Sequence, residues 1–149
     1  MPVLAEDVHE LIAARCKIGD THAEKGNYEA ALNDYWAAWD LLPDPPTDWA
    51  AATWILGSVG DANFQSGDYA AGRDNLSIAL TCPDGLGNPF LHLRLGQCQY
   101  ELGEYGPAAD NLARAFMSAG DEIFANGGAK YLQFLTAFLE PPAGETPEA

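Results

Sequence analysis

The chain has 149 residues, and 48% of them are hydrophobic, which is enough to bury one sizeable core in a single folded domain. Its 22 Asp and Glu residues far outnumber its 7 Lys and Arg residues, so the formal net charge is -15. A surface this negative repels phosphate backbones and anionic membranes and attracts basic partners. The composition therefore argues against nucleic-acid binding and membrane binding.

Seven helical segments are predicted in chain order, from apolar residues at helical spacing and from the Pro and Gly residues between them. Their approximate ranges are 4–25, 28–41, 48–66, 69–81, 89–102, 107–118 and 130–139. Thr47 or Asp48 is expected to cap the third segment, and Asn88 the fifth. Residues 42–47 and 82–88 are rich in Pro and Gly and are predicted to be loops.

One pattern occurs three times with the same spacing. It consists of two glycines, a tyrosine, a small residue, a large apolar residue and an alanine. The copies are Gly19, Gly26, Tyr28, Ala31, Tyr35 and Ala38; Gly60, Gly67, Tyr69, Gly72, Leu76 and Ala79; and Gly96, Gly103, Tyr105, Ala108, Leu112 and Ala115. The first glycine lets a neighbouring helix approach closely, and the second suits a left-handed turn between two helices.

This pattern resembles the tetratricopeptide (TPR) repeat, a hairpin of two helices called A and B. The resemblance implies an all-α fold, a right-handed α-solenoid of three TPR helix hairpins with a C-terminal capping helix. Residues 1–140 are expected to form a single TPR domain, with repeats at about 12–45, 53–86 and 89–122 and the capping helix at about 129–139. Residues 141–149 are expected to be a disordered tail. Partner binding or dimerisation by the last helix is the alternative to capping.

The sequence lacks the motifs that commonly indicate catalysis or metal binding. His9, His22 and His92 show no metal-ligand spacing, and no phosphate-binding glycine loop or serine-nucleophile elbow is present. His22 and His92 are interpreted as packing residues inside A helices. The three cysteines form no C-x-x-C pair and are expected to be reduced packing residues. We therefore predict that the protein is not an enzyme and uses no cofactor or metal.

In the proteins that this sequence resembles, the A helices line a concave groove, and the repeat spacing assigns the inward positions. The resulting candidate partner-binding residues are Asp20, Glu24, Trp54, Asp61, Phe64, Gln65, Phe90, Arg94, Gln97, Tyr100 and Glu101. They combine carboxylates with aromatic rings, which suits a ligand that offers Lys or Arg beside an apolar anchor. The alternative is that Trp54, Phe64 and Phe90 are buried between helices and that the carboxylates are ordinary solvated residues.

One TPR subclass binds the acidic C-termini of heat-shock chaperones through Lys, Asn and Arg residues. Asp20 and Asp61 stand where that clamp uses Asn, and only Arg94 fits, so this role is not expected. Residues 88–96 and 120–135 are more loosely similar to small bacterial TPR proteins encoded beside polymorphic or secreted toxins. This resemblance implies an immunity protein that binds and neutralises a basic toxin domain. The alternative is a generic TPR adaptor or scaffold that binds an extended peptide of a larger bacterial complex.

The predicted partner is thus another protein with a basic surface, and the chain is predicted to be a monomer or a weak homodimer. Residues 1–14 lack the features of a secretory signal, and no stretch approaches the roughly 20 apolar residues of a membrane span. A cytoplasmic location is therefore predicted.

Overall fold

The computed structural model describes residues 3–140, which contain seven α-helices and no strand. The helices are α1 (Glu6–Glu24), α2 (Tyr28–Trp39), α3 (Ala50–Ser66), α4 (Tyr69–Thr81), α5 (Pro89–Glu101), α6 (Tyr105–Ala119) and α7 (Ala129–Leu139). Short 3-10 turns, Pro46–Asp48 and Asp121–Phe124, precede α3 and α7. The predicted tail, 141–149, lies outside the described residues.

The helices form three successive hairpins. Helices α1 and α2, α3 and α4, and α5 and α6 pack as pairs, and the pairs stack through α2 on α3 and α4 on α5. Helices α3 and α5 also touch each other, and α7 packs on α6. The prediction of an all-α stack of three hairpins with a last helix on its end is confirmed. Among the helices of the described part, none combines the length and the apolar character that crossing a bilayer requires.

Each hairpin turns at the second glycine of the repeat. Gly26, Gly67 and Gly103 have φ values of 76°, 86° and 80°, a left-handed conformation that glycine adopts without steric cost. In the first two hairpins the next residue caps the B helix, since the side chains of Asn27 and Asp68 accept hydrogen bonds from backbone N–H groups of the first turn. The repeated turn residues therefore end one helix and start the next.

The first glycine of each repeat lies against the large apolar residue of the B helix. A Cβ atom on Gly19 would lie 2.6 Å from the ring of Tyr35, and one on Gly96 would lie 2.8 Å from Cγ of Leu112. A Cβ on Gly60 would collide with the side chain of Leu76. Only glycine lets the two helices of each hairpin pack this closely.

A polar pair also joins the two helices of every hairpin, three residues after the first glycine. The pairs are His22 with Asp34 at 3.6 Å, Asn63 with Asn75 at 3.0 Å, and Gln99 with Asn111 at 2.8 Å. His22 joins the two helices, in keeping with the structural role predicted for it, although its imidazole is partly exposed and faces a carboxylate. Sequence reasoning missed this polar position because three different pairs of residue types occupy it.

The third pair continues into a buried network around His92. The backbone N–H of Gly87 donates to Nε2 of His92 at 3.0 Å, so the proton of the neutral ring is on Nδ1. Nδ1 then donates to Oδ1 of Asn111 at 2.9 Å. His92 is buried, as predicted, and it ties the loop before α5 to helix α6.

The start of α3 differs from the prediction. Thr47 and Asp48 lie in the 3-10 turn, and neither caps the helix. The extended N-cap residue is Trp49, whose indole N–H donates to the carbonyl of Pro43 at 2.8 Å. A capping residue needs a non-helical backbone, whereas the 3-10 turn that Pro46 begins gives Thr47 and Asp48 a helical one.

The start of α5 agrees with the prediction, and that of α6 does not. Asn88 caps α5, because its side chain accepts hydrogen bonds from the N–H groups of Phe90 and Leu91. Helix α6 begins at Tyr105, before the predicted start at Pro107. Proline is tolerated in a first turn, where its missing N–H would have no helical partner.

Replacing Gly60 with Ala is expected to destabilise the fold. The new methyl group displaces Leu76, and this overpacking outweighs the gain in helix propensity, leaving a net loss of about 1 to 2 kcal/mol. Thermal unfolding followed by circular dichroism measures the change. Gly106→Ala in α6 is the control, since a Cβ there meets no atom within 4 Å. If the two variants melt at the same temperature, close helix contact at Gly60 is refuted.

Replacing Asn111 with Ala is expected to cost about 2 to 3 kcal/mol, because His92 and Gln99 then lose buried hydrogen-bond partners. Urea unfolding of wild type and variant measures the difference. Asp110→Ala on the same helix removes only an exposed pair with Arg114 and should change stability little. Similar losses in both variants would contradict the buried network.

Candidate partner-binding groove

An open recess of about 430 Å³ lies between α1, α3 and the start of α5. Four of the predicted groove residues line it: Asp20, Trp54, Asp61 and Phe90. Asp84, from the loop between α4 and α5, adds a third carboxylate, and no Lys or Arg is among the lining residues. The open recess therefore combines negative charge with aromatic surface.

Three aromatic side chains line the open recess, and two of them, Trp54 and Phe90, are partly exposed, whereas Tyr35 is buried. The exposed fraction is 38% for Trp54 and 38% for Phe90, so neither ring is buried between helices. The edge of His9 packs on Trp54, with ring centroids 6.4 Å apart. The two rings give a ligand apolar contact area that does not have to be uncovered first.

Asp20 is held by a hydrogen bond from the neighbouring helix. The hydroxyl of Tyr35 on α2 donates to Oδ1 of Asp20 at 2.6 Å. Burial, and then this bond to a carboxylate, raise the pKa of Tyr35, so the hydroxyl stays a donor. Burial raises the pKa of the nearby Cys16 thiol to about 11, and the charge of Asp20 adds to that effect. No salt bridge within residues 3–140 includes Asp20 or Asp84.

Arg94 fills the groove on the C-terminal side of the open recess. Its Nε donates to Oδ1 of Asp61 at 2.6 Å and its Nη1 to Oε1 of Gln97 at 2.7 Å. The guanidinium lies 4.8 Å from the ring centroid of Phe64 and 5.3 Å from that of Phe90. Gln97 is only 2% exposed, so it accepts the hydrogen bond of Arg94 and offers little surface to a partner.

Helix α7 covers the C-terminal end of the groove. The ring of Tyr131 contacts Tyr100 and Phe64, with centroids 5.4 Å and 6.3 Å apart, and Phe134 lies 4.9 Å from Tyr100. The Tyr131 hydroxyl donates to Oε2 of Glu101 at 2.7 Å. Tyr100 and Glu101 are therefore engaged within the chain, while Glu24 and Gln65 remain exposed.

Glu101 also forms an ion pair with α7. The ammonium group of Lys130 lies 2.7 Å from Oε2 of Glu101. Burial raises the pKa of Glu101, but the hydrogen bonds from Lys130 and Tyr131, together with the charge of Lys130, outweigh burial and lower the pKa overall. The ionised carboxylate thus helps to fasten α7 over the groove.

Asp84 and Ser58 are among the lining residues of the open recess that sequence reasoning missed. Asp84 lies in a stretch that was interpreted only as a loop, and its φ of 61° places it in a left-handed turn. Ser58 lines the recess from the middle of α3. The repeat register is the signal that identifies Ser58, whereas no sequence pattern points to Asp84.

Comparison with solved structures identifies the class of fold. The first TPR domain of Spaghetti (RPAP3), solved with the HSP90 peptide SRMEEVD, has a TM-score of 0.68 and 16% identity, over 85% of this chain and 94% of that one. The Yersinia enterocolitica chaperone SycD, in complex with a peptide of the translocator YopD, has a TM-score of 0.66 and 17% identity, over 92% of this chain and 95% of that one. The Sgt2 TPR domain of Aspergillus fumigatus has a TM-score of 0.63 and 18% identity, over 97% of this chain and 91% of that one.

These likenesses show that the chain has the fold of a TPR domain, an all-α stack of helix hairpins. No family model matches the sequence, and a sequence search of curated proteins gives no match. The fold thus supports the resemblance predicted from the three-fold pattern of glycines and tyrosines.

Replacing Glu101 with Gln is expected to lower stability by about 1 kcal/mol at pH 7, or about 2 to 4 °C in melting temperature, through loss of the ion pair with Lys130. The pKa of Glu101 is lower in the folded state than in the unfolded state. The ionised carboxylate therefore gives its full stabilisation at pH values above the unfolded-state pKa, and this stabilisation is lost as the pH falls below about 4.5. Wild type and variant should therefore melt progressively closer together between pH 6 and pH 3.

Glu24→Gln serves as the control for that experiment, since Glu24 is exposed and should give little difference at any pH. A difference between wild type and Glu101→Gln that stays constant from pH 6 to pH 3 would contradict a stabilising role for the ionised carboxylate.

Proposed function

We propose that this protein is a non-enzymatic interaction module that binds an extended basic segment of another protein along α1, α3 and α5. The observation that carries the proposal is the open recess, which presents Asp20 and Asp84 beside the exposed rings of Trp54 and Phe90. Neither carboxylate forms a salt bridge within residues 3–140, whereas the third, Asp61, already pairs with Arg94. Such a surface complements a Lys or Arg residue next to an apolar one.

Charge and aromatic area contribute differently to this binding. The net charge of -15 attracts basic segments over long range and raises the association rate at low ionic strength. Once the segment is bound, contact with Trp54 and Phe90 supplies apolar burial that salt does not screen. The carboxylates then select against acidic segments.

The similar structures support a peptide as the ligand. SycD is solved with a peptide of YopD, and the Spaghetti domain is solved with an HSP90 peptide. The HSP90 peptide, SRMEEVD, ends in acidic residues. A recess that carries Asp20 and Asp84, which form no salt bridge within residues 3–140, repels such an end, so we propose a ligand of the opposite charge for this chain.

We favour the adaptor form of this function, in which the chain holds an extended segment of a larger complex. The toxin-neutralising form, an immunity protein against a basic toxin domain, is the narrower hypothesis. It rests on the acidity and on the looser resemblance of residues 88–96 and 120–135, and the similar structures give it no support. Rescue of growth when the chain is co-expressed with a toxin encoded beside it would favour the narrower form. Recovery of a stable multiprotein assembly would favour the adaptor.

Replacing Asp20 with Lys is expected to weaken binding of a short peptide that alternates Arg or Lys with Leu or Phe by about 10-fold at low salt, and by less at high salt. Fluorescence anisotropy of the labelled peptide measures both values. Asp40→Lys makes the same charge change at an exposed site that does not line the open recess, and it should have a much smaller effect.

Trp54→Ala is expected to weaken binding of the same peptide to a similar extent at low and high salt, because it removes apolar contact and no charge. An acidic peptide of the same length should not bind. Equal binding of the acidic and basic peptides, or equal effects of Asp20→Lys and Asp40→Lys, would refute the proposed groove.

A further inference from the structure

The open recess and the position that Arg94 fills are at equivalent places in successive repeats. Arg94 lies two residues before Gly96 in α5, and Ser58 lies two residues before Gly60 in α3. The two side chains therefore occupy the same position in successive hairpins. In one hairpin the position holds an arginine, and in the other it holds a small hydroxyl group beside an open space.

The surroundings of the two positions correspond as well. Arg94 pairs with Asp61, which follows Gly60, and Asp20 follows Gly19 in the same way. Arg94 also lies over Phe90, six residues before Gly96, and Trp54 lies six residues before Gly60. Asp20, Ser58 and Trp54 all line the open recess. The recess thus keeps the carboxylate and the aromatic ring of the Arg94 site but lacks the arginine.

Two further differences favour a cation in the recess. Arg94 donates its second hydrogen bond to the amide of Gln97, which follows Gly96. The residue that follows Gly60, one hairpin earlier, is Asp61, so a carboxylate stands there in place of the amide. The second ring over Arg94 belongs to Phe64, and the equivalent residue of the first hairpin is Ala23, which is much smaller. Asp61 already pairs with Arg94, so it offers the recess a carboxylate acceptor that is shared with that arginine, and Ala23 takes up less room than Phe64 does.

We infer that the open recess is a guanidinium site, in which an arginine of the bound segment takes the place that Arg94 takes one hairpin later. The planar guanidinium group can pair with Asp20 or Asp61 while its face lies on Trp54, an arrangement that the compact ammonium of lysine matches less well. This inference rests on the proposed function for the source of the arginine, but the binding of a guanidinium ion can be tested without the partner.

The test uses ethylguanidinium as the probe and the indole N–H signals in ¹H–¹⁵N NMR spectra as the readout. The chain has four tryptophans, and only Trp54 lines the open recess. Titration should shift the Trp54 signal in a saturable way and leave those of Trp36, Trp39 and Trp49 unchanged. Ethylurea, a neutral molecule of nearly the same shape, should cause no saturable shift. Equal shifts with both probes, or no shift with either, would overturn the inference.

Ser58→Arg supplies the missing arginine within the chain and should abolish the Trp54 response to ethylguanidinium. Asp20→Asn keeps an acceptor for Tyr35 but removes the charge, and it should weaken the response by about 10-fold. Thermal melts establish that each variant is folded, and Asp20→Asn decides the question if Ser58→Arg does not fold. A response that survives both changes would overturn the inference.

A basic peptide and its analogue with citrulline in place of arginine separate this inference from the proposed function. Weaker binding of the citrulline peptide to wild type, with equal binding of the two peptides to Ser58→Arg, is the expected result. If both peptides bind wild type equally, the guanidinium site is refuted while peptide binding stands. If neither peptide binds but ethylguanidinium shifts Trp54, the site stands and the proposed function fails.

Discussion

Close contact between the two helices of each hairpin is the constraint on which the rest of the structure depends. Gly19, Gly60 and Gly96 each leave room for one large side chain of the following helix. Because the same contact is made three times, the hairpins have the same internal geometry and stack in register. Equivalent positions of α1, α3 and α5 then point to one side, which is why residues far apart in sequence, such as Asp20 and Phe90, line one recess.

The groove built in this way is divided by the chain's own cations. Arg94 neutralises Asp61 and lies between two aromatic rings, and Lys130 and Tyr131 hold Glu101 under helix α7. The chain has seven Lys and Arg residues against 22 Asp and Glu residues, so most carboxylates cannot be paired. Within residues 3–140, the two ion pairs that include predicted groove residues, Arg94 with Asp61 and Lys130 with Glu101, both lie on the C-terminal side of the open recess. The N-terminal half keeps carboxylates without a cation beside exposed rings. The proposed binding of a basic segment at the open recess rests on this asymmetry.

The positions of the predicted groove residues show how far a repeat pattern can identify the side chains that line a groove. The pattern predicted that Asp20, Trp54, Asp61 and Phe90 face the groove, and these four residues line the open recess. It did not predict that Gln97 is buried under Arg94, or that Tyr100 and Glu101 lie under α7. Those outcomes depend on side chains from different helices that meet only after the hairpins stack. Asp84 was missed because a loop between repeats has no fixed place in the register.

The sequence by itself determined the helix hairpins, since glycines at the turns and helix contacts, with alanines and large apolar residues at helical spacing, allow few other folds for this chain. It also determined the excess of negative charge. The tertiary structure alone decided which carboxylates and rings remain available, because that depends on distances between helices rather than on spacing along one helix. The contrast between Arg94 and Ser58 illustrates this division. Both stand at the same place in the repeat, yet only the folded chain shows that Arg94 fills its position whereas Ser58 lines an open recess.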